Sequence, residues 1–287
     1  MNYYGFSPIY TQIPNTAIYT NNRAVLVEYW KKYLMEKAVS VYDWKIPKLW
    51  SENYFKYILY NVGFISIIYT AEFGWIPQRC AVGGLNLFEE PDTIIVNNPI
   101  INGIERKIGD GCVLFKFNPD YTGVADIIEY YAMQLSELSL TAYANMITTK
   151  VGYIISVPDK KTADSAKRIV DSVLNGEPAT ISKDSKTPNS IEYFSQNVKQ
   201  NYIVSDIIID MRKLLQSFNT EFGIPNSNTE KKERMIKDEV NSNNVETFIK
   251  SEMWLNSFKN TCEELNSMAG YDIMDVDWAK CIKESGY

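Results

Sequence analysis

One long uninterrupted helical pattern constrains this chain more than any other feature. Residues 122–149 contain no proline, and no glycine after Gly123. Apolar side chains recur along this stretch at spacings of three or four residues, at Ile127, Tyr131, Leu135, Leu138, Ala142 and Met146. Such spacing places them on one face of a helix, about 40 Å long at a rise of 1.5 Å per residue.

A second helical pattern follows at residues 202–222 and predicts a helix about 30 Å long. Residues 150–200, between the two patterns, contain short strand-like runs and a helix-like run from Thr162 to Gly176. A small strand–helix–strand module between two long helices predicts a rod with a head rather than a globular enzyme. The packing residues predicted for the two helices are Leu135, Leu138, Ile207 and Leu214.

The composition limits how this chain can contact nucleic acid. At 287 residues and 45% hydrophobic content, it is long enough to bury a core in one or two domains. Its formal net charge is −6 and its pI is near 5.0. A protein that wraps DNA through bulk electrostatics is normally basic, so any contact with nucleic acid must be local.

The reactive residue types argue against catalysis and against a metal site. The chain has no histidine, and its four cysteines form no C-x-x-C pair, which predicts free thiols in a reducing cytoplasm. Asp275 and Asp277 form a D-x-D motif, but such a motif in a loop is usually only solvated. No phosphate-binding loop and no nucleophile elbow is present. We therefore expect no enzyme activity, no cofactor and no metal.

The N-terminal part predicts a mixed helix and strand block. Residues 1–22 carry no charge and resemble an extended arm, and helices are predicted at 23–39 and, after a Ser51 N-cap, at 51–61. Strand-like runs follow as FISIIYT, TIIVNN and CVLFKF. The most apolar stretch, 57–71, is too short and too often interrupted for a membrane span, and predicts a helix end followed by a buried strand.

A dense and balanced charge run follows the second long helical pattern. Gly223 and Pro225 are typical of a helix end. Charged pairs four residues apart would support a short solvated helix, whereas flanking Asn and Ser predict a mobile loop whose lysines reach phosphate. The run is basic at Lys231, Lys232, Arg234 and Lys237, and acidic at Glu230, Glu233, Asp238 and Glu239.

The segment EFGIPNSNTEKKERMIKDEVNSNN, followed by NSFKNTCEELNSMAGYDI, resembles the channel-loop region of a known family. That family comprises the head–tail connector, or portal (upper collar), proteins of small short-tailed phages that infect Gram-positive bacteria. The core string EKKERM-x-x-DEV-x-SN is long, and the order of predicted elements agrees over most of the chain. Outside the charged run the resemblance supports architecture more than individual residues.

The resemblance implies an α+β portal fold, assembled as a twelve-fold ring around a channel for double-stranded DNA. Lys231 and Lys232 match the lysine pair of the family, on a loop that projects into the channel. The implied parts are an arm and wing (1–120), a stem helix (121–149), a clip (150–200), a second stem helix (201–222), the channel loop (223–244) and a C-terminal wing helix and tail (245–287).

The implied partners are the capsid protein, a tail or lower-collar protein and a separate packaging ATPase, and no membrane. The implied location is the portal vertex of the virion, after assembly in the host cytoplasm. The best-known member of the family grips a packaging RNA with a basic arm, but residues 1–22 contain no Lys or Arg. Either the RNA contact lies elsewhere or this phage has none. A lower-collar or coat protein remains the alternative function.

Overall fold

The computed structural model describes residues 23–101, 103–149, 201–225 and 237–283, two short strands at 153–156 and 192–195, and Lys167. At 237–247 and in the two short strands it describes the backbone alone. The chain forms two compact units. Unit 1 is drawn from residues 1–137 and 211–287, and unit 2 from residues 138–210. The structure contains both helices and sheets, as the resemblance to portal proteins implies.

Four of the helices lie where the apolar periodicity predicts them, a long helix includes part of the segment expected to hold a C-terminal wing helix, and the structure adds a short helix after it. The second helix begins after Ser51, whose Oγ accepts a hydrogen bond from the Tyr54 backbone N–H at 3.3 Å, as the predicted N-cap requires. The helices are α1 (Arg23–Val39), α2 (Glu52–Val62), α3 (Ala125–Thr148), α4 (Val204–Glu221), α5 (Lys237–Ala269) and α6 (Lys280–Lys283).

Unit 1 also contains two three-stranded antiparallel sheets, in the orders β3-β2-β7 and β4-β5-β6. The three strand-like runs of the sequence correspond to β2, β5 and β7, so the prediction of a helix end followed by a buried strand at 57–71 is confirmed. The strands of the two sheets are β2 (Phe64–Thr70), β3 (Gly74–Gln78), β4 (Ala81–Gly83), β5 (Thr93–Val96), β6 (Ile104–Lys107) and β7 (Cys112–Lys116).

Strand β2 is apolar along almost its whole length because both of its faces are covered. Ile65 and Ile67 point into the main core, whereas Ile68 points into a second, smaller core with Ile94 and Cys112. Side chains alternate between the two faces of a strand, so a strand buried on both faces must be apolar at successive positions. This central strand joins the two cores of unit 1.

Two further strands bring the ends of the described chain together. Strand β1 (Tyr42–Lys45) pairs antiparallel with β10 (Asp275–Trp278), with Trp44 opposite Val276. The D-x-D motif therefore lies in a strand and not in a loop, although Asp275 is exposed as expected of a solvated side chain. Asp277 accepts hydrogen bonds from the side chains of Lys283 at 2.6 Å and Lys259 at 3.3 Å. These contacts make the motif part of the structural framework.

Close backbone approach fixes the start of α3 against the end of α2. Gly63 has φ +100°, and a Cβ there would lie 2.2 Å from the Thr122 carbonyl carbon. A Cβ on Gly123 would lie 2.3 Å from the Tyr60 carbonyl oxygen, which accepts a hydrogen bond from the Val124 backbone N–H at 2.8 Å. Only glycine fits at either position, so the entry to the long helix is set by backbone contacts.

Unit 2 contains the end of α3, the start of α4 and a two-stranded antiparallel sheet, β8 (Tyr153–Ser156) with β9 (Glu192–Ser195). The Asn145 side chain on α3 donates to the Asn201 carbonyl at 2.8 Å and accepts from the Ile203 backbone N–H at 3.1 Å. The predicted helix from Thr162 to Gly176 lies, apart from the helical Lys167, outside the described residues, as does the strand-like run PATIS.

The C-terminal boundary of the predicted channel loop, residue 244, differs from the structure. Helix α5 begins at Lys237, so residues 237–244 are helical. The Asn- and Ser-rich string NSNN has a weak helix propensity, which made a loop the natural prediction. Helix α5 has no Gly or Pro from Lys237 to Ala269, and buried residues further along it fix it in the core. Tertiary packing of one part of a helix favours its extension through residues of modest propensity.

Candidate functional site

The candidate functional site is the charged run together with the helix ends that carry it. Glu230, Lys231, Lys232, Glu233 and Arg234 lie outside the described residues. Lys237, Asp238 and Glu239 are the first three residues of α5, and only their backbone is described. The run therefore lies in the connection from α4 to α5 and in the first turn of α5. The end of α4 and the middle of α5, called the two anchors below, are packed in the core.

The first anchor is the end of α4, which aromatic side chains hold in the main core. Phe218 and Phe222 are buried and stacked, with ring centroids 4.5 Å apart. Phe222 also lies 5.6 Å from the Trp254 ring on α5. Beyond the last helical turn, the Ile224 backbone N–H donates to the Asn219 carbonyl at 2.8 Å. The chain thus leaves α4 in a fixed direction.

Glycine is required at the turn between α4 and the charged run. Gly223 has φ +72°, the left-handed conformation that ends many helices. A Cβ at this position would lie only 2.0 Å from Ser251 Oγ and 2.7 Å from Ser251 Cβ. Gly223 therefore serves both as a helix cap and as the contact surface between α4 and α5.

The second anchor is the middle of α5. Trp254 is buried, and its Nε1–H donates to Asn118 Oδ1 at 2.9 Å. One turn earlier, the buried Ser251 accepts a hydrogen bond at its carbonyl from the Tyr42 hydroxyl at 2.5 Å. These bonds tie α5 to β1 and to the loop that follows β7. The end of α4 and the middle of α5, which precede and follow the charged run, are consequently fixed to the same core.

Charged side chains make contacts on the exposed side of the packing between α4 and α5, which we call the base of the run. Lys250 Nζ lies 2.8 Å from Glu221 Oε1 and 5.3 Å from the centroid of the Trp254 ring, which gives an ion pair and a cation–π contact. Burial, together with the negative charge of Glu221, raises the pKa of Tyr131 to about 12. Burial also lowers the pKa of Lys37, which donates to Asn219 Oδ1 at 2.7 Å. Polar contacts near the surface and aromatic side chains in the core therefore both stabilise the base.

The four predicted helix-packing residues differ in their exposure. Leu135 on α3 and Ile207 on α4 are buried, whereas Leu138 and Leu214 are half-buried. Leu214 packs against the main core of unit 1. At the far ends of the two predicted stripes, Met146 and Ile203 are exposed.

Sequence reasoning missed the α5 anchor, although a signal for it was present. Buried residues recur along α5 at spacings of three or four, at Ser251, Trp254, Phe258, Cys262 and Leu265. This periodicity is typical of a helix that packs one face on a core. The resemblance implies a C-terminal wing helix within residues 245–287, but it identifies no packing residues on that helix.

Within the part of the chain that the structure describes, no group of three Cys, Asp or Glu side chains could hold a metal ion. All four cysteines are free thiols, three of them buried and Cys281 exposed. Among the same residues, no helix is long and apolar enough to cross a membrane.

The chain matches the family model described as Phage Connector (GP10) over residues 10–283, which is nearly its whole length. The chain belongs to the phage connector family. It is a head–tail connector (portal) protein, a structural component of the phage virion that assembles with the capsid and the tail. The resemblance to connector proteins found in the charged run is thereby confirmed at the level of the family.

Chains in two solved structures are similar to this connector over most of its length. A chain of the "Portal and tail of native bacteriophage P68" has 15% identity and a TM-score of 0.48, with 92% of this chain and 90% of that chain covered. A chain of the "Virion of native gene transfer agent (GTA) particle" has 11% identity and a TM-score of 0.44. There the match covers 92% of this chain and 84% of the other.

Proposed function

We propose that this connector assembles as a closed twelve-fold ring around a channel through which double-stranded DNA is packaged and later ejected. In this proposal α3 and α4 form the stem, residues 150–200 form the clip, and residues 1–120 and 245–287 form the wing. The packaging ATPase and then the tail bind the clip side of the ring. The phage is a small short-tailed one with a Gram-positive host, where the ring assembles in the cytoplasm.

The observation that carries this proposal is the fixed base of the charged run. Before the run, Phe222 and Gly223 at the end of α4 contact α5, at the Trp254 ring and at Ser251 respectively, and both of these α5 residues follow the run. A loop mounted on rigid elements presents its side chains at a defined place, which is how binding loops are commonly supported. We propose that Lys231, Lys232, Arg234 and Lys237 contact the DNA backbone from this base.

The balance of charge in the run suits a channel in which DNA must slide. Each phosphate that a protein neutralises adds salt-dependent affinity, so a continuous basic lining would hold the DNA and stall its movement. The run carries four basic and four acidic side chains between Glu230 and Glu239. Glu230, Glu233, Asp238 and Glu239 limit the affinity of each loop, and repetition around the ring adds the weak contacts together.

The first experiment removes the lysine pair with Lys231→Ala and Lys232→Ala. A matched control removes two exposed lysines elsewhere, with Lys32→Ala and Lys107→Ala. Both variants should form rings in averaged electron micrographs and should assemble into capsids that take up DNA. Only the first should lose control of the packaged DNA, seen as a lower DNA content of purified particles or faster ejection.

A complementary experiment makes the run more basic with Glu230→Gln and Glu233→Gln. The loops should then hold DNA more tightly, so ejection should slow, and the difference from wild type should shrink as salt rises. Wild-type DNA content and ejection rate in both loop variants would refute the proposed role of the run. A wild-type protein without a closed ring in top views would refute the ring itself.

A further inference from the structure

An apolar loop on the second sheet is exposed although its backbone is well fixed. The connection between β4 and β5 carries Leu85, Leu87 and Phe88, which are 68%, 90% and 78% exposed. Asn86 closes this loop, since its Oδ1 accepts hydrogen bonds from the backbone N–H groups of Phe88 at 2.8 Å and Glu90 at 3.0 Å. The loop thus holds apolar side chains out in a fixed geometry, which reduces the entropy lost on binding. We call residues 85–90 the tip loop.

The tip loop is acidic as well as apolar. Glu89 is exposed, and Glu90 lies 3.5 Å from Lys116 on β7. No Lys or Arg occurs between Arg79 and Arg106 in the sequence. A surface that fits the tip loop must therefore offer apolar side chains with basic neighbours.

Such a surface exists on the same chain, in the turn between β1 and α2. Leu49 is 95% exposed and follows the exposed Lys48. No acidic residue lies between Asp43 and Glu52. We call Lys48 and Leu49 the receiving patch, which complements the tip loop in both polarity and charge.

The two surfaces lie towards opposite ends of the first sheet. The tip loop is linked to Lys116, which pairs with Phe64 at the start of β2. The receiving patch adjoins Trp50, whose Nε1–H donates to the carbonyl of Trp75 at 2.8 Å, and Trp75 pairs with Tyr69 near the end of β2. Five residues of strand separate these positions, about 17 Å at roughly 3.3 Å per residue. The two surfaces are therefore distinct, and copies that meet through them in one direction associate head to tail, as the proposed ring requires.

We propose that the tip loop of one copy binds the receiving patch of the next copy, and that this contact sets the head-to-tail order of the assembly. The inference rests on the proposed ring and names two surfaces through which its copies meet. Heterologous contacts of this kind close into rings when the rotation between copies divides a full turn.

The test uses the full chain with two variants that each spoil one surface. The tip variant carries Leu87→Ser and Phe88→Ser, and the patch variant carries Lys48→Glu and Leu49→Ser. All four side chains are exposed, so thermal unfolding of the separate chains should match wild type. Each variant should need at least about tenfold more protein for half-assembly, measured by mass photometry. An equimolar mixture should give dimers, because one intact tip loop and one intact patch remain.

Charge reversal gives an internal control. Lys48→Glu alone and Glu89→Lys alone should each raise the half-assembly concentration by about fivefold, and the double change should lower it again. A mixture that stays monomeric, a variant that assembles like wild type, or a double reversal without rescue would overturn the inference and leave the ring intact. A monomeric wild-type chain would overturn the ring and this contact with it.

Discussion

Replacing Gly223 by alanine tests the base of the charged run at its most crowded point. The change introduces two costs that the structure separates. The first is the left-handed backbone at φ +72°, which costs a residue with a Cβ about 1–2 kcal/mol. The second is the approach of the new Cβ to Ser251, at 2.0 Å from Oγ and 2.7 Å from Cβ. Ser251 is buried on a helix and cannot move aside freely, so overpacking adds about 1–3 kcal/mol.

Gly270 provides the matched control. It follows α5, has φ +77°, and a Cβ there would meet nothing within 4 Å. Gly270→Ala should therefore lower the free energy of unfolding by about 1–2 kcal/mol, the backbone cost alone. Gly223→Ala should lower it by about 2–5 kcal/mol, the sum of the backbone cost and the overpacking.

The assay is urea unfolding followed by tryptophan fluorescence, with all variants at the same protein concentration and in the same oligomeric state. Ser251→Gly removes both clashing atoms, so it should recover part of the loss in the Gly223→Ala protein while costing about 1 kcal/mol in the wild-type protein. Equal losses for Gly223→Ala and Gly270→Ala would refute the close approach of α4 and α5. The absence of any recovery with Ser251→Gly would refute it too.

Three further outcomes are expected. Leu138→Asp and Leu214→Asp each place a carboxylate at a half-buried helix position and should prevent ring formation in sedimentation; intact rings in both would contradict the helical stem. Replacing all four cysteines by alanine should leave rings assembled with a modest loss of stability, and stoichiometric zinc in the wild-type protein would contradict this. The hydrogen bond from Lys283 lowers the pKa of Asp277 to about 2 from its ordinary 3.8. The ionised Asp277 therefore stabilises the fold fully above about pH 4, and this stabilisation is lost as the pH falls towards 2. In the Asp277→Asn variant, the melting temperature should depend less on pH over that window.

The parts of the fold that sequence could predict are those specified by local pattern. A pattern of apolar residues within one segment indicates a buried helix or strand. Such a pattern is present in helices α1 to α4 and in strands β2, β5 and β7. Strands β1 and β10 alternate apolar and charged residues, but each has only four residues and the alternation does not show which strand is the partner. Their pairing joins Tyr42 to Trp278, and no local signal reports a partner so distant along the chain.

At the candidate site, Gly223 has one role that the local sequence predicts and one that depends on a residue distant along the chain. The prediction that Gly223 ends α4 follows from backbone conformation alone, and the structure has this helix end. The contact of Gly223 with Ser251 depends on where α5 packs, which is decided by Trp254 inside the core and by the bond from Tyr42 to the Ser251 carbonyl. A charged run needs no apolar pattern of its own when the helices before and after it pack on one core. Its composition is then free to be set by charge balance, which explains why the run resembles a solvated segment although the helices before and after it pack together at Gly223, Ser251 and Trp254.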